Sequence, residues 1–186
     1  MQYQEWPAPV GTEGPIRCLW TLQGGADEPS DAGESGEGSA GEARAGEAEP
    51  ALPDGCPELL LNFGDPWCRV ERDGSHRLQP AAFLVGQITG PFVVYPTGRV
   101  DLLAIRFEPH GAAALLDDMA AITDTWISLE HVPTARELLT ATPDVVRTWA
   151  QRYAAGAGHA DASVAAVVRE IVASRGAASI DALAEA

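Results

Sequence analysis

The residue types that could do chemistry in this sequence are charges placed inside apolar runs. Residues 99–107 form an apolar, β-rich run that contains Arg106, with Arg99 and Asp101 nearer its start. A buried charge must be paired, so Arg106 either bridges a carboxylate such as Glu58 or meets an anionic ligand. Of these two interpretations, we favour the internal ion pair.

Aromatic side chains in neighbouring β-rich runs could form the wall of a pocket beside these charges. The candidates are Trp20, Trp67, Tyr95 and Phe63. A large aromatic side chain in a strand is more often part of a core, and this interpretation stays open. The candidate ligand-binding residues are therefore Arg106, Glu58, Trp20, Trp67 and Tyr95.

The sequence offers little for metal or covalent catalysis. Its four histidines, His76, His110, His131 and His159, are far apart and form no His-x-His or His-x-x-x-His pair. A metal site built on histidines needs clustered imidazoles with a carboxylate, so we predict no metal and no cofactor. No Gly-x-Ser-x-Gly, phosphate-loop or dinucleotide motif is present, and the lack of lysine excludes lysine-based chemistry. We predict no catalytic residues and no enzyme activity.

The cysteines give no disulfide or zinc framework. Cys18, Cys56 and Cys68 are odd in number and lack Cys-x-x-Cys spacing. We interpret them as buried thiols. A less favoured hypothesis is that Cys56, in the turn at 53–57, is exposed and redox-active.

Charge and hydropathy limit the partners and the compartment. The formal net charge of -15 repels polyphosphate, so this chain alone should not bind nucleic acid. No apolar run approaches the roughly 18 residues of a membrane-spanning helix, and the N-terminus lacks the features of a signal peptide. We therefore expect a cytoplasmic protein with no membrane partner.

Short β-rich runs separated by Gly, Pro and Asp turns must position these side chains. They lie at 16–24, 58–63, 67–72, 82–88, 92–95 and 99–107. No helix-length segment connects them, which argues for an antiparallel barrel or a two-sheet roll. The last two runs flank Pro96-Thr97-Gly98 and predict a hairpin. The final run is apolar on both faces, as expected for a strand between two layers.

The segment 26–52 has a different composition. It is rich in Gly, Ala, Glu, Ser and Asp and contains no aromatic residue. Such a segment cannot bury enough apolar surface to offset its ordering entropy, so we predict a disordered acidic insertion. It is either an interaction or solubility tail or a tolerated surface insertion, and we favour the second. The residues before 16 indicate an extended arm.

After Gly111 the pattern changes from sheet to helix. Segments 112–122 and 134–154 are amphipathic, 161–175 carries one apolar stripe, and a further helix begins after Ser179. The first two segments could form a dimer seam, and packing onto the β-rich part is the competing use. The candidate dimerisation residues are Leu115, Met119, Leu138, Leu139 and Val146.

Several ordered motifs together resemble one family. They are Pro-Asp-Gly-x-x-Glu-Leu-Leu-Leu-Asn-Phe-Gly-Asp-Pro at 53–66, Phe-Leu-Val-Gly-Gln at 83–87, and the run from Pro-Thr-Gly-Arg-Val-Asp to Glu-Pro-His-Gly-Ala at 96–112. These motifs resemble the N-terminal domain that precedes the DNA-binding domain in a branch of AraC-type transcription regulators. The tail from Val164 resembles the opening of their first helix-turn-helix. The resemblance spans roughly residues 5–186 apart from the acidic segment, which departs from the usual short turn.

The resemblance implies an α+β fold, a cupin-like antiparallel β-barrel of the jelly-roll type followed by an α-helical C-terminal part. We expect a β-barrel sensing domain at 1–110 and a helical dimerisation and linker subdomain at 111–158. Residues 159–186 would be the truncated start of a helix-turn-helix DNA-binding domain.

The function that follows from the resemblance is regulatory. We expect a ligand-sensing, dimerising domain that binds a small-molecule effector, forms a homodimer and reaches DNA only through the missing C-terminal domain. Two alternatives remain open. One is a cupin-type enzyme such as an isomerase or dioxygenase, and the other is a protein-interaction module whose barrel is filled by side chains.

Overall fold

The chain forms two antiparallel sheets followed by helices, in a computed structural model that describes residues 1–8, 14–24, 48–156 and 162–184. The fold is therefore mixed α+β, as expected. The strands are β1 (Gln2–Pro7), β2 (Ile16–Gly24), β3 (Glu49–Ala51), β4 (Glu58–Asn62), β5 (Trp67–Val70), β6 (His76–Leu78), β7 (Ala82–Val85), β8 (Phe92–Pro96), β9 (Val100–Phe107) and β10 (Trp126–Ser128).

The two sheets pack face to face. The larger sheet has the strand order β1-β2-β9-β4-β7-β10, and the smaller one has the order β3-β8-β5-β6. A buried cluster joins Trp20 and Leu102 of the larger sheet to Trp67 and Val94 of the smaller one. Within the described residues, no strand pairing links the two sheets, so the closed barrel that we expected is not present.

Strand β9 is the centre of the larger sheet, and both of its faces are buried. Leu103, Ile105 and Phe107 pack into one apolar core, while Leu102 and Ala104 on the opposite face pack between the sheets. The sequence predicted this two-sided burial, and the structure confirms it. Successive side chains of a strand point to opposite faces, so a strand that is apolar on both faces must lie between two layers.

The predicted hairpin around Pro96-Thr97-Gly98 is wrong. Strand β8 lies in the smaller sheet and β9 in the larger one, so the turn carries the chain from one layer to the other. The neighbouring loop holds it: Thr97 N–H donates to the Pro66 carbonyl at 3.1 Å, and Arg99 N–H donates to Oδ2 of Asp65 at 2.6 Å. These bonds replace the ladder that a hairpin would form.

The N-terminal arm and the end of the acidic segment are more ordered than expected. The arm is a full edge strand, since β1 pairs with β2 from Gln2 to Pro7. At the C-terminal end of the acidic segment β3 pairs with β8, although we expected disorder as far as residue 52. Ordering of this end follows from the ladder bonds that β8 offers to it. The rest of the predicted disordered insertion, up to residue 47, lies outside the described residues.

The C-terminal part is less helical than predicted. Residues 109–115 form turns, and three short 3-10 helices cover Met119–Ile122, Leu129–His131 and Pro133–Thr140. Strand β10 was missed, and it extends the larger sheet beyond β7. True α-helices follow: α1 (Pro143–Gly156), α2 (Ala162–Ala173) and α3 (Ile180–Ala184). Pro143 begins α1, where proline suits the first helical position because no intrahelical bond is lost with its missing N–H.

Helix α1 is fixed to the outer face of the larger sheet by two aromatic residues. Tyr153 Oη donates to the Gly111 carbonyl at 2.7 Å, and its ring meets Phe107 edge-on at 5.5 Å. Trp149 stacks on Tyr153 and donates its indole N–H to the Thr134 carbonyl at 3.1 Å. These contacts tie α1 to β9 and to the preceding turns.

Most of the candidate dimerisation residues pack inside the chain. Leu115, Leu138 and Val146 are at most 3% exposed and belong to the core under the larger sheet. Met119 packs against the same core, and Leu139 is 38% exposed. These side chains pack onto the β-rich part because the apolar face of the larger sheet must be covered.

None of the helices in the described part of the chain has the length and apolar character needed to cross a bilayer.

Candidate ligand-binding cavity

A cavity of about 500 Å³ lies between the two sheets. Trp20, Glu58 and Arg106 reach it from the larger sheet and Trp67 from the smaller one. Four of the five candidate ligand-binding residues therefore meet around one space. The other side chains that line it are Met1, Tyr3, Leu22, Glu49, Pro50, Ala51, Leu60, Gln79, Phe83, Val85, Phe92, Val94 and Leu102.

Strand register places the charged pair in this cavity. Glu58 of β4 and Arg106 of β9 are direct partners across an antiparallel ladder, so their side chains leave the sheet on the same face. Trp20 of β2 is paired with Ala104, two residues from Arg106 on that face. The small Ala104 side chain leaves room between the two larger neighbours.

The ion pair is short, and one carboxylate oxygen carries it. Arg106 Nε donates to Oε1 of Glu58 at 2.5 Å, and the indole N–H of Trp20 donates to the same oxygen at 3.1 Å. Oδ2 of Asp54 lies 3.7 Å from Arg106 Nε. The internal partner predicted for Arg106 is therefore confirmed.

Other polar atoms of Arg106 and Glu58 remain available for hydrogen bonds in the cavity. In the part of the chain that the structure describes, neither terminal nitrogen of Arg106 has a hydrogen-bond partner, and neither does Oε2 of Glu58. The side chain of Arg106 is 30% exposed and that of Glu58 is 15% exposed. A donor and an acceptor are thus available in a largely apolar space.

Burial and ion pairing shift the pKa of each of these two groups in opposite directions. Burial raises the pKa of the Glu58 carboxyl, and the Arg106 guanidinium and the Trp20 N–H oppose part of this rise. Burial lowers the pKa of Arg106, but the Glu58 carboxylate more than offsets that and the net shift is upward. Arg106 therefore stays charged, and Glu58 holds a proton more readily than an exposed carboxyl would.

A second cavity of about 410 Å³ adjoins the first through shared walls. Glu58, Arg106 and Phe92 line both spaces, and Asp54 and Cys56 line only the second. The ion pair thus lies where the two cavities meet.

Cys56 is buried, with 5% of its surface exposed, which contradicts the hypothesis of an exposed redox thiol. Burial raises its pKa to about 11, with the nearby Asp54 carboxylate adding to the rise. A thiol with this pKa is almost fully protonated near neutral pH and is a poor nucleophile. Cys18 and Cys68 are buried as well, as predicted.

Two aromatic candidates lie away from the cavity. Tyr95 follows Val94 on β8, so its side chain leaves the opposite face, where its hydroxyl is 2.7 Å from Nδ1 of His76. Phe63 packs against the core beneath the larger sheet. Alternation along β8 could have selected Phe92 and Val94 instead of Tyr95, but the sequence does not say which face is inner.

The N-terminal strand forms part of the cavity wall. Met1 and Tyr3 both line it, and the ring of Tyr3 lies 5.9 Å from that of Trp20. The sequence indicates only an extended arm here, and nothing in it shows what the arm packs against. The pairing of β1 with β2 brings it there.

A second buried arginine ties the sheets together at another edge. Arg69 of β5 is 8% exposed and donates to the Asp124 carbonyl at 2.9 Å. Its guanidinium lies 4.1 Å from the centre of the Phe92 ring and 5.6 Å from that of Trp126 in β10. The sequence reasoning missed this residue because its partners come from β8 and from the β10 region.

Across residues 1–8, 14–24, 48–156 and 162–184, no three His, Cys, Asp or Glu side chains come together in a way that could hold a metal ion.

Comparison with known proteins adds a family but no activity. No curated protein matches this chain. The family described as DUF6597, a domain of unknown function, matches residues 13–128, which is more than half of the sequence. The match covers nine of the strands, from β2 to β10, and with them almost the whole wall of the cavity. This chain therefore belongs to the DUF6597 family.

Proposed function

We propose that this chain is the ligand-sensing and dimerising regulatory part of an AraC-type transcription regulator, built on a cupin-like jelly roll. The observation that carries the proposal is the cavity between the sheets, which has apolar and aromatic walls and one incompletely bonded ion pair. Concave, mostly apolar spaces with a few convergent polar groups are typical of small-molecule sites. Helices α2 and α3 would begin the attached DNA-binding domain.

A population shift would connect the cavity to the helices. A ligand that touches Trp20 and Tyr3 favours one position of β1 over others. Strand β1 reaches α1 through Trp6, whose ring centre lies 5.6 Å from the guanidinium carbon of Arg147. Ligand binding would in this way change how α1 and the elements after it are held.

Ligand binding can be tested with a neutral apolar fluorophore, N-phenyl-1-naphthylamine. We expect its fluorescence to rise and tryptophan fluorescence to fall on binding, because Trp20 and Trp67 line the cavity. Leu60→Trp fills the cavity and should weaken binding about tenfold or more. Leu139→Trp, at a 38% exposed site, is the matched control and should bind as the unchanged chain does.

Two results would contradict the proposal. One is the absence of any binding by this fluorophore, together with no difference between the Leu60→Trp and Leu139→Trp variants. The other concerns assembly. Light scattering at high micromolar concentration should show a dimer, and finding only a monomer would remove the dimerising role. Stoichiometric bound metal in the purified chain would favour the cupin-type enzyme instead.

A further inference from the structure

We propose that the cavity takes an uncharged aromatic molecule with a carboxamide-type polar end, which donates to Oε2 of Glu58 and accepts from the terminal nitrogens of Arg106. This inference rests on the proposed ligand-sensing function and names the chemical class of the ligand. Three features of the cavity carry it: its charge balance, its unused hydrogen-bonding positions and the distribution of its polar groups.

The charges around the ion pair disfavour an anionic ligand. Glu58 and Glu49 line the main cavity, Asp54 lines the adjoining one, and Arg106 faces both. An anion that approached Arg106 would meet these carboxylates in a space with mostly apolar walls, where like charges repel more strongly than in water. Arg106 is already neutralised by Glu58 at 2.5 Å. The cavity therefore lacks the excess positive charge that a carboxylate or phosphate ligand would need.

A cationic group fits poorly at Oε2 of Glu58, although Glu49 also lines the cavity. Any group that bonds to Oε2 of Glu58 must lie close to the Arg106 guanidinium, because that guanidinium is bonded to Oε1 of the same carboxylate. A second cation there would be repelled by the first. An uncharged donor meets no such repulsion and can still form a charge-assisted hydrogen bond with the carboxylate.

The unused positions of the ion pair call for a donor and an acceptor together. A buried pair is stabilised well only when further hydrogen bonds satisfy its remaining protons and lone pairs. Among the described residues, the terminal nitrogens of Arg106 and Oε2 of Glu58 have no such partners. A carboxamide supplies both complements from one small group, namely its N–H donor and its C=O acceptor.

The remaining walls favour a flat apolar body. Trp20 and Trp67 come from opposite sheets, and Leu60, Val94 and Leu102 complete the space between them. A polyol would leave hydroxyl groups facing these apolar side chains without partners, which costs free energy. An aromatic ring gains from burial and from contact with the indole faces. Besides Glu49, Gln79 and Tyr3, whose hydroxyl donates to Glu5, the ion pair supplies the polar side chains of the wall.

Four naphthalene derivatives of nearly equal size test this inference near neutral pH. They are 2-naphthamide, 2-acetonaphthone, which keeps the acceptor but lacks the donor, 2-naphthoate, which is anionic, and 2-naphthylmethylamine, which is cationic. Dissociation constants follow from competition against N-phenyl-1-naphthylamine. We expect 2-naphthamide to bind about tenfold more tightly than either charged compound and a few-fold more tightly than the ketone.

Variants of Glu58 and Arg106 then test whether the ion pair causes these differences in affinity. Glu58→Gln removes the negative charge nearest to the ligand. It should therefore reduce the ratio between the dissociation constants of 2-naphthoate and 2-naphthamide about tenfold. Arg106→Gln should weaken 2-naphthamide about fivefold or more by removing its donor to the carbonyl. Arg99→Gln, whose side chain pairs with Asp101 outside the cavity, is the control and should leave all four affinities unchanged.

The outcomes separate this inference from the proposed function. If 2-naphthoate, 2-naphthylmethylamine or the ketone binds as tightly as 2-naphthamide, or more so, the carboxamide class is wrong and ligand sensing stands. If N-phenyl-1-naphthylamine and all four compounds fail to bind, both fail. The ranking on the unchanged chain does not depend on any variant, so a variant that fails to fold leaves the test intact.

Discussion

Arg106 and Glu58 face each other across strands β9 and β4, with Nε of the guanidinium 2.5 Å from Oε1 of the carboxylate. The pair lies between two apolar layers, and Trp20 donates to the same oxygen. Two adjacent strands of one sheet thus provide the only polar centre that the described residues place where the two cavities meet. Its energetics can be measured directly.

Removing Arg106 should destabilise the protein because it leaves the Glu58 charge without its partner. Arg106→Met should lower the free energy of unfolding near neutral pH by about 2 kcal/mol, less than for a fully buried pair because both groups keep some exposure. Arg99→Met, which breaks an exposed pair with Asp101, should cost under about 1 kcal/mol. Urea unfolding measures both, and equal losses would contradict a special role for Arg106.

The same variant should show a characteristic pH dependence. Burial raises the pKa of Glu58, and the variant loses the opposing effect of the guanidinium. A carboxyl with a raised folded-state pKa contributes stability below its unfolded pKa, and this is lost as pH rises through the folded value. The deficit of Arg106→Met relative to the unchanged chain should therefore be smaller near pH 4 than near pH 7. A constant deficit would contradict this assignment.

Leu138 and Leu139 are sequence neighbours with opposite roles. Leu138 is 1% exposed in the core beneath the larger sheet, so Leu138→Ala should cost about 2–5 kcal/mol of stability. Leu139 is 38% exposed, and Leu139→Ala should cost at most about 0.5 kcal/mol. Thermal unfolding of the two variants tests the contrast. A large loss at Leu139 that depends on protein concentration would instead place it in a dimer interface.

Gly86 is required by a close backbone approach. A Cβ at this position would lie 2.1 Å from the carbonyl oxygen of Ile122, and a backbone atom cannot easily move aside. We expect Gly86→Ala to destabilise the protein by more than about 1 kcal/mol through strain between β7 and the 3-10 helix. Gly156→Ala is the control and should be neutral or slightly stabilising, because outside its own helical turn no described residue lies within 4 Å of the added Cβ. Similar melting temperatures for the two variants would contradict this packing.

The buried cysteines should make the protein less stable in alkali. Burial raises the pKa of Cys18 and of Cys56 to about 11, from an ordinary thiol value near 9. Their contribution is complete below the unfolded pKa and is lost as pH rises towards the folded one. Stability should fall above about pH 9, and Cys56→Ala should reduce the slope. An unchanged slope would exclude Cys56 as a source of the loss, and rapid native-state labelling by a thiol reagent would contradict its burial.

Local pattern in the sequence was enough to identify β2, β4, β5, β7, β8 and β9, the two-sided burial of residues 99–107 and the need of Arg106 for a negatively charged partner. It missed β6, and it placed β3 in a segment expected to be disordered. The confirmed predictions follow from the period-2 alternation of side chains or from the cost of burying a charge, and these do not depend on distant parts of the chain. The start of α1 at Pro143 also has a local cause, because Pro suits the first helical position.

Tertiary structure decided which layers these elements join. The turn at Pro96-Thr97-Gly98 is compatible with a hairpin or with a crossing between sheets. Hydrogen bonds that Thr97 and Arg99 donate to the loop at Asp65 and Pro66 favour the crossing. The inner face of β8 depends on its pairing with β3 and β5, so Phe92 lines the cavity and Tyr95 does not. The apolar faces of Leu138 and Val146 could serve a partner or a core, and the uncovered face of the larger sheet claims them. Sequence thus specifies local geometry and the need for burial, whereas the choice of partner depends on contacts between segments that only the folded chain brings together.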